Sequence, residues 1–370
     1  MLYIHYCNSC KHVHILSGHN PAVPMISLQL TPCPWLQFDY FHAWLVSNVQ
    51  DSTRYYLEHT TSGKNDYEYR PANKFMAANM LTFIPCKYVS FSIGNSIVYA
   101  EKNVQAAYFI PVAFFKSLDH LLTKGIASEN QNSQVYASLT VRPTDHLKLY
   151  GSFFLDEFSA SRLKKSNKQN NPISYLVGFD WSGWPVRGLS LKGEFMRSYI
   201  ACYTHSIDVL TYESNSYKMG HYMGDNAQSI YLALSYRPLR GLRFSLDYTR
   251  DTKYNVYQYL RDGRTDDGQR IREGGITETI SQKPFKNPTF NNDIIGLHVQ
   301  YELSQRIYAH ADVVYNNARA YETPASHDCL YGNNDVPCAS EVRGDYLNMF
   351  CPAFYQGKNV TISCGLSFGF

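Results

Sequence analysis

The chain has little charge and no long apolar run. Asp, Glu, Lys and Arg make up 18% of 370 residues, and the formal net charge is only +3. Without a basic field, composition argues against a nucleic-acid partner. The longest uninterrupted apolar stretch, Ala106–Phe115, is ten residues and contains Pro111. A transmembrane helix needs roughly 20, so helices are excluded as bilayer spans. There is no Gly-rich phosphate loop, and Gly183 and Gly241 read as turn glycines. Met1–Ser17 lacks a basic n-region, a long apolar core and an A-x-A cleavage site, so residues 1–22 are atypical of an exported chain. If the chain is exported, its true start is expected upstream. The alternative is a cytosolic protein, which suits nine cysteines without obvious pairing. Cys7-x-x-Cys10 with His12 and His14 has no second ligand pair at finger-like spacing, so it reads as chance, with no metal or cofactor expected. Cys329 and Cys338 share a polar segment and carry either a small-loop disulfide or two thiols.

What is abundant is aromatic: 31 Tyr and 20 Phe among 370 residues, a composition suited to a membrane β-barrel with aromatic girdles. From Asn359 to the end, Val360, Ile362, Cys364, Leu366, Phe368 and Phe370 alternate with Thr361, Ser363, Gly365, Ser367 and Gly369. A period of two describes a strand with one apolar and one wet face. In outer-membrane barrels a terminal aromatic of this kind is what the barrel-assembly machinery reads, which makes Phe368 and Phe370 the candidate assembly signal.

The same alternation recurs in six hairpins. Their turns lie at Pro32–Pro34, Pro85–Lys87, Arg142–Asp145, Gly183–Val186, Arg237–Gly241 and Ser304–Gln305, and five of the six contain Pro. Proline fixes φ and cannot extend a ladder. Leu242, Phe244, Leu246 and Tyr248 oppose Arg243, Ser245, Asp247 and Thr249; Ile295, Leu297, Val299 and Tyr301 oppose Gly296, His298, Gln300 and Glu302. A soluble β-sandwich alternates too, but with loops of similar length at both ends. Here the hairpin turns are short while Ser47–Arg70, Phe158–Pro172, Cys202–Ala227, Asp251–Asn292 and Asn316–Lys358 are long and polar. That asymmetry is the outer-membrane arrangement. The expectation is one all-β domain over residues 1–370, a transmembrane antiparallel up-and-down β-barrel with about 13–14 strands. Val104–Lys124 differs, being apolar and then amphipathic. It is expected to be a partly helical loop over or in the lumen, the alternative being an extra strand pair.

No residue set demands catalysis. Asp156 and Glu157 are adjacent carboxylates, but neighbours on a strand point to opposite faces, so hydrogen bonding or loop anchoring is the better reading and no enzyme is expected. His298, His310 and Asp312 fall on neighbouring inward faces, as a polar network rather than a metal cluster. The inward faces are expected to carry both signs, through Lys148, Lys192, Glu194, Arg197, Arg243, Asp247, Glu302 and Asp312. With His298 and His310 these are the candidate lumenal contacts for a hydroxyl-rich polymer, which Arg and carboxylate groups bind through charge-assisted hydrogen bonds. Tyr254, Tyr257 and Tyr259 either stack on sugar rings or belong to an interface girdle.

Four stretches resemble the capsule-assembly Wzi family. They are Lys74–Asn79 leading into Val89–Tyr99, Ala107–Val112 (with Phe109-Ile110 where Leu-Asn is usual), Leu149–Gly151 to Leu155–Glu157, and Gly220–Ala227 followed by Tyr231–Pro238. The resemblance runs from about Met25 to Phe370. It implies an 18-stranded barrel of which four or five strands would precede Met25, location in the outer membrane among its lipids, and attachment or export of capsular polysaccharide at the cell surface. Some relatives are named as motility proteins, so surface adhesion is a rival, and a porin-like solute channel is another.

Overall fold

A computed structural model describes residues 15–16, 21–59, 65–122, 131–156, 171–205, 207–254, 285, 288–321, 347–348 and 350–368. In chain order its elements are β1 (Met25–Cys33), β2 (Leu36–Leu45), β3 (Gln50–His59), β4 (Asn65–Pro71), β5 (Lys74–Cys86), β6 (Val89–Tyr99), helix α1 (Phe115–Leu122), β7 (Gln131–Thr144), β8 (Leu147–Asp156), β9 (Ile173–Ser182), β10 (Leu189–Ser198), β11 (Glu213–Ser214), β12 (Tyr217–Lys218), β13 (Ala227–Leu239), β14 (Leu242–Tyr254), β15 (Pro288–Ser304), β16 (Ile307–Ala320) and β17 (Gly357–Phe368).

Thirteen strands form one sheet whose order is chain order once the separate hairpins β3–β4 and β11–β12 are set aside. Every neighbouring pair is antiparallel, as up-and-down topology requires. These are the strands of the six hairpins and the terminal segment. The β3–β4 hairpin was not evident in the sequence, because its strand residues are too polar to stand out from a loop. Among the described residues no pairing joins β1 to β17.

Register sorts the two faces. Leu147, Trp181, Leu191, Leu234, Leu246, Leu297, Val313 and Ile362 lie opposite one another on β8 to β10 and β13 to β17, forming one apolar row. One residue along, Lys148, Asp180, Lys192, Ala233, Asp247 and Gly296 form a row on the other face. The apolar face stays exposed, with Leu234 at 42% and Leu246 at 48%, while Glu194, Ser229 and Asp251 on the polar face are buried. A continuous apolar exterior around a buried polar interior is the sorting that lipid outside and water inside impose. The fold is that of an outer-membrane β-barrel, and the chain crosses the outer membrane with strands. No described helix is long and apolar enough to cross.

Two long connections at the same end of the sheet take opposite sides. Residues 199–226 fold inward: Cys202, Tyr203, Tyr212 and Met219 pack on Phe41, Ala43, Met76, Ala78, Val98, Tyr136 and Phe154, all from the inner face. Residues 104–122 do the reverse, correcting the expectation of a lumenal loop. Tyr108 and Phe115 pack against Tyr40, Phe75, Ala77, Ile97 and Tyr99, which carry the outward parity of β2, β5 and β6. The reason is chemical. The segment carries more apolar side chains than one side can seat, so it packs some on the barrel wall and leaves Ile110, Val112, Phe114 and Leu121 exposed.

Candidate lumenal site

Strand alternation places every proposed lumenal contact except one on the inner wall. Lys192 Nζ lies 3.0 Å from Glu194 Oε1, and the Tyr150 hydroxyl donates to the same oxygen at 2.7 Å. The Lys148 and Lys192 ammonium groups stand 5.2 and 5.6 Å from the ring centres of Tyr150 and Tyr231, within cation–π range. His298 sits between two carboxylates, with Nδ1 2.7 Å from Asp312 Oδ1 and Nε2 2.8 Å from Asp247 Oδ1. Ser363 Oγ donates to the second oxygen of Asp312 at 3.3 Å. Arg243 donates to Ser245 Oγ at 3.2 Å. His310 does not enter the His298 group; it pairs with Gln300 and Gly365 one row away. Glu302 lies opposite Tyr308 nearer the short turns. Among the described residues no group of three His, Cys, Asp or Glu is arranged to hold a metal ion.

Arg197 is the exception. It is an odd-numbered residue on β10, whereas Lys192 and Glu194 are even, so it shares the outward parity of Phe195. Its guanidinium stacks 4.2 Å from the Phe285 ring centre and donates to Gln228 at 2.7 Å. Parity, not charge, decides the face. Tyr254 is likewise engaged, meeting Phe285 edge-on at 5.5 Å. Phe368 is outward and exposed. Glu157, Tyr257, Tyr259, Phe370 and the cysteine pairs Cys7/Cys10 and Cys329/Cys338 lie outside the described residues.

Above this wall, residues 199–226 reach inward from β10 as far as the end of β2. Lys74 Nζ donates to Thr211 O at 2.7 Å and Asn132 Nδ2 to Leu210 O at 3.3 Å. Asn215 N donates to Val46 O at 2.8 Å, and Val46 N to Ser214 Oγ at 3.1 Å. Asp156, buried on β8, accepts Tyr203 N at 2.9 Å, so the acidic pair supplies a loop anchor through its first member. At the return to β13, buried Lys253 Nζ lies 3.0 Å from Asp225 Oδ1, donates to Met223 O at 3.0 Å, and also bonds Asp225 O. The other Asp225 oxygen accepts Ala201 N at 3.0 Å. Tyr222 and Ser229 donate to the two oxygens of Asp251 at 2.7 and 2.6 Å. A second inward segment, with Leu347, Phe350 and Cys351, packs on Met223, Ala227, Phe290 and Ala318 beside it.

The Gly220–Ala227 stretch now has a physical account. A Cβ at Gly220 would run into the Tyr203 ring, and Gly224 turns the chain at φ +68°. Burial pushes the Cys202 thiol well above its ordinary pKa, so it stays protonated and unreactive. Sequence reasoning missed Lys253, Asp225 and Tyr203 because their partners are far away in the chain. The alternation of β14 does assign Lys253 to the inner face with Asp247 and Asp251.

On the outer wall the 104–122 strap is held by polar groups that would be costly in lipid unpaired. Asn79 Nδ2 donates to Pro111 O and Ala113 O, both at 2.8 Å, and Asn95 Nδ2 donates to Asn79 Oδ1 at 2.7 Å. Asn95 Oδ1 accepts Phe115 N at 2.9 Å, and Tyr40 OH donates to Tyr108 O at 2.9 Å. His42, with Nε2 2.7 Å from the Tyr99 hydroxyl, stacks under Phe109 at 4.6 Å between ring centres.

No protein-family model and no curated protein sequence matches the chain. Among solved structures it is similar to Wzi of Escherichia coli, described as an outer-membrane protein involved in group 1 capsule assembly and a carbohydrate-binding β-barrel. That match has 12% identity and a TM-score of 0.46, over 80% of this chain and 57% of that one. It is also similar to OccD3 (OpdP) of Pseudomonas aeruginosa, with 11% identity and a TM-score of 0.42 over 80% and 63%. OccAB3 of Acinetobacter baumannii matches with 14% identity and a TM-score of 0.39 over 93% and 67%. The chain thus spans 57% of the Wzi chain and 63% of the OccD3 chain.

Proposed function

We propose that this protein holds a surface polysaccharide at the outer membrane and is not a general diffusion pore. The observation that carries this reading is the inward fold of residues 199–226, tied down by Lys74, Asp156 and the buried Lys253–Asp225 pair. On this reading the hydrogen-bonded segment obstructs the mouth, an arrangement poorly suited to free solute passage. It is well suited to presenting a rigid, polar external surface. The four motif stretches point to the same capsule-assembly family, and two of them have structural roles: Asp156 anchors the plug, and Gly220–Ala227 returns it to the wall. The inner wall supplies paired charges and tyrosines rather than a reactive nucleophile, so we read the protein as a binder and not an enzyme. The barrel-assembly machinery is the expected partner during insertion.

A substrate-specific porin is the second reading, favoured by the mixed-charge wall below the plug, where Lys148, Lys192, Asp247 and His298 remain partly accessible. Gene deletion separates the two. On the first reading, polymer synthesis continues but more polymer is shed into the medium. In planar bilayers the intact protein conducts little, and removal of residues 200–225 raises conductance. Unchanged surface polymer with reduced uptake of a small solute would establish the porin reading instead.

A further inference from the structure

A group of cations lies on the lipid side of β14 to β17, outside the lumen. Arg250 has the outward parity of Phe244, Leu246 and Tyr248, and it lies opposite Asp293 on β15. Asp293 lies opposite Asn317 on β16, and Asn317 opposite Lys358 on β17. Arg319, one outward position further along β16, completes the group. A single carboxylate serves both arginines: Arg319 Nη2 is 2.5 Å from Asp293 Oδ2, and Arg250 Nε is 3.8 Å from Oδ1. Tyr248 OH donates to Oδ1 at 3.0 Å. Asp293 is thereby occupied, while the arginine side chains remain 46% and 44% exposed. A guanidinium has five N–H donors, so most of those on Arg250 and Arg319 are left for a ligand, and Lys358 is exposed beside them.

What lies below the cations identifies the ligand. The next outward row is Tyr248, Ile295, Tyr315 and Val360, and the one after it Leu246, Leu297, Val313 and Ile362. Successive outward rows are roughly 7 Å apart along a strand. Cations, then tyrosines, then aliphatic side chains descend the wall in the order of a phosphate headgroup, its interface and its acyl chains. The cations sit at the long-loop end, the external side. We propose that Arg250, Arg319 and Lys358 form a binding site for the phosphate of an outer-leaflet lipid whose chains lie against the aliphatic rows beneath. Arginine suits the role because its planar donors meet phosphate oxygens two at a time. A free phosphate would use the cations but gain nothing from the apolar rows. The site is independent of which polymer the protein holds.

The test uses the whole protein in phosphatidylcholine nanodiscs carrying a phosphorylated glycolipid or its dephosphorylated form, with bound glycolipid counted by native mass spectrometry. Arg250→Ala with Arg319→Ala should weaken retention of the phosphorylated glycolipid at least tenfold, to the level at which the unmodified protein holds the dephosphorylated one. Arg240→Ala, in a short turn at the opposite end, should leave retention unchanged. If losing Arg319 beside Asp293 prevents folding, Lys358→Gln replaces it and should weaken retention about threefold. Equal retention of both glycolipids, or variants that retain as much as the unmodified protein, would overturn the proposal. So would full displacement of the lipid by millimolar inorganic phosphate, which would make this a free-phosphate site.

Discussion

Residues 104–122 and 199–226 are both long connections at the same end of the sheet, and they end up on opposite sides of one wall. The first contains the longest apolar run of the chain and lies outside; the second carries more polar groups and lies inside, where Cys202, Tyr203, Tyr212 and Met219 also join an apolar cluster. An apolar segment looks like a plug only if the lumen is imagined as a hydrophobic core. A barrel inverts that logic, since its interior is wet and its exterior is oil. Each segment therefore presents to its wall what that wall can satisfy. The strap brings rings to Phe75, Ile97 and Tyr99, with its own carbonyls paired to Asn79. The plug brings the Thr211 carbonyl to Lys74, the Tyr203 backbone N–H to Asp156 and the Asp225 carboxylate to Lys253.

The largest expected effect is on the plug. Lys253→Met leaves Asp225 buried and unpaired, and breaking a buried pair from one side costs about 3–5 kcal/mol. The outcome expected is local: residues 199–226 loosen while the sheet survives. Cys202, fully buried, should then be alkylated without denaturant, whereas in the unmodified protein only exposed thiols such as Cys86 react readily. If Cys202 stays protected in the variant, the pair does not hold the plug.

The strap should respond more weakly. Asn79→Ala removes the donor for Pro111 O and Ala113 O and the acceptor for Asn95. Leaving buried partners unmade costs about 1–3 kcal/mol. Amide exchange in residues 108–118 should quicken, with residues 199–226 unaffected. Faster exchange in both segments would mean that they are coupled through the wall and not independent.

Much of this architecture was legible before the structure. The strands of the main sheet and their faces follow from period-two alternation and from turns such as Arg237–Gly241, where Gly241 adopts φ +83°. Local pattern suffices because each strand pairs with its sequence neighbour. The side on which a connection lies is a long-range property, and there the sequence misled. Tyr108 and Phe115 give no sign of which face of β5 and β6 they will meet, and Lys253 gives none that Asp225 awaits it. Arg197 departs from its expected face for a simpler reason: strand parity, not residue type, sets the side. Arg250 and Arg319 show the same rule, being charged strand residues that face outward.

The central claim, that the strap faces lipid and the plug faces water, can be measured directly. A fluorophore is placed at Val112→Cys or at Tyr217→Cys, in a background whose exposed cysteines are replaced by serine, and the protein is reconstituted into vesicles. Val112 is 79% exposed on the strap and Tyr217 51% exposed on the plug. Quenching is then compared between nitroxide-bearing lipids and aqueous iodide. The account predicts that the label at position 112 is quenched by the lipid nitroxide and spared by iodide, and that the label at position 217 behaves in the opposite way. A label at position 112 quenched by iodide alone would put the strap back in the lumen and contradict the account.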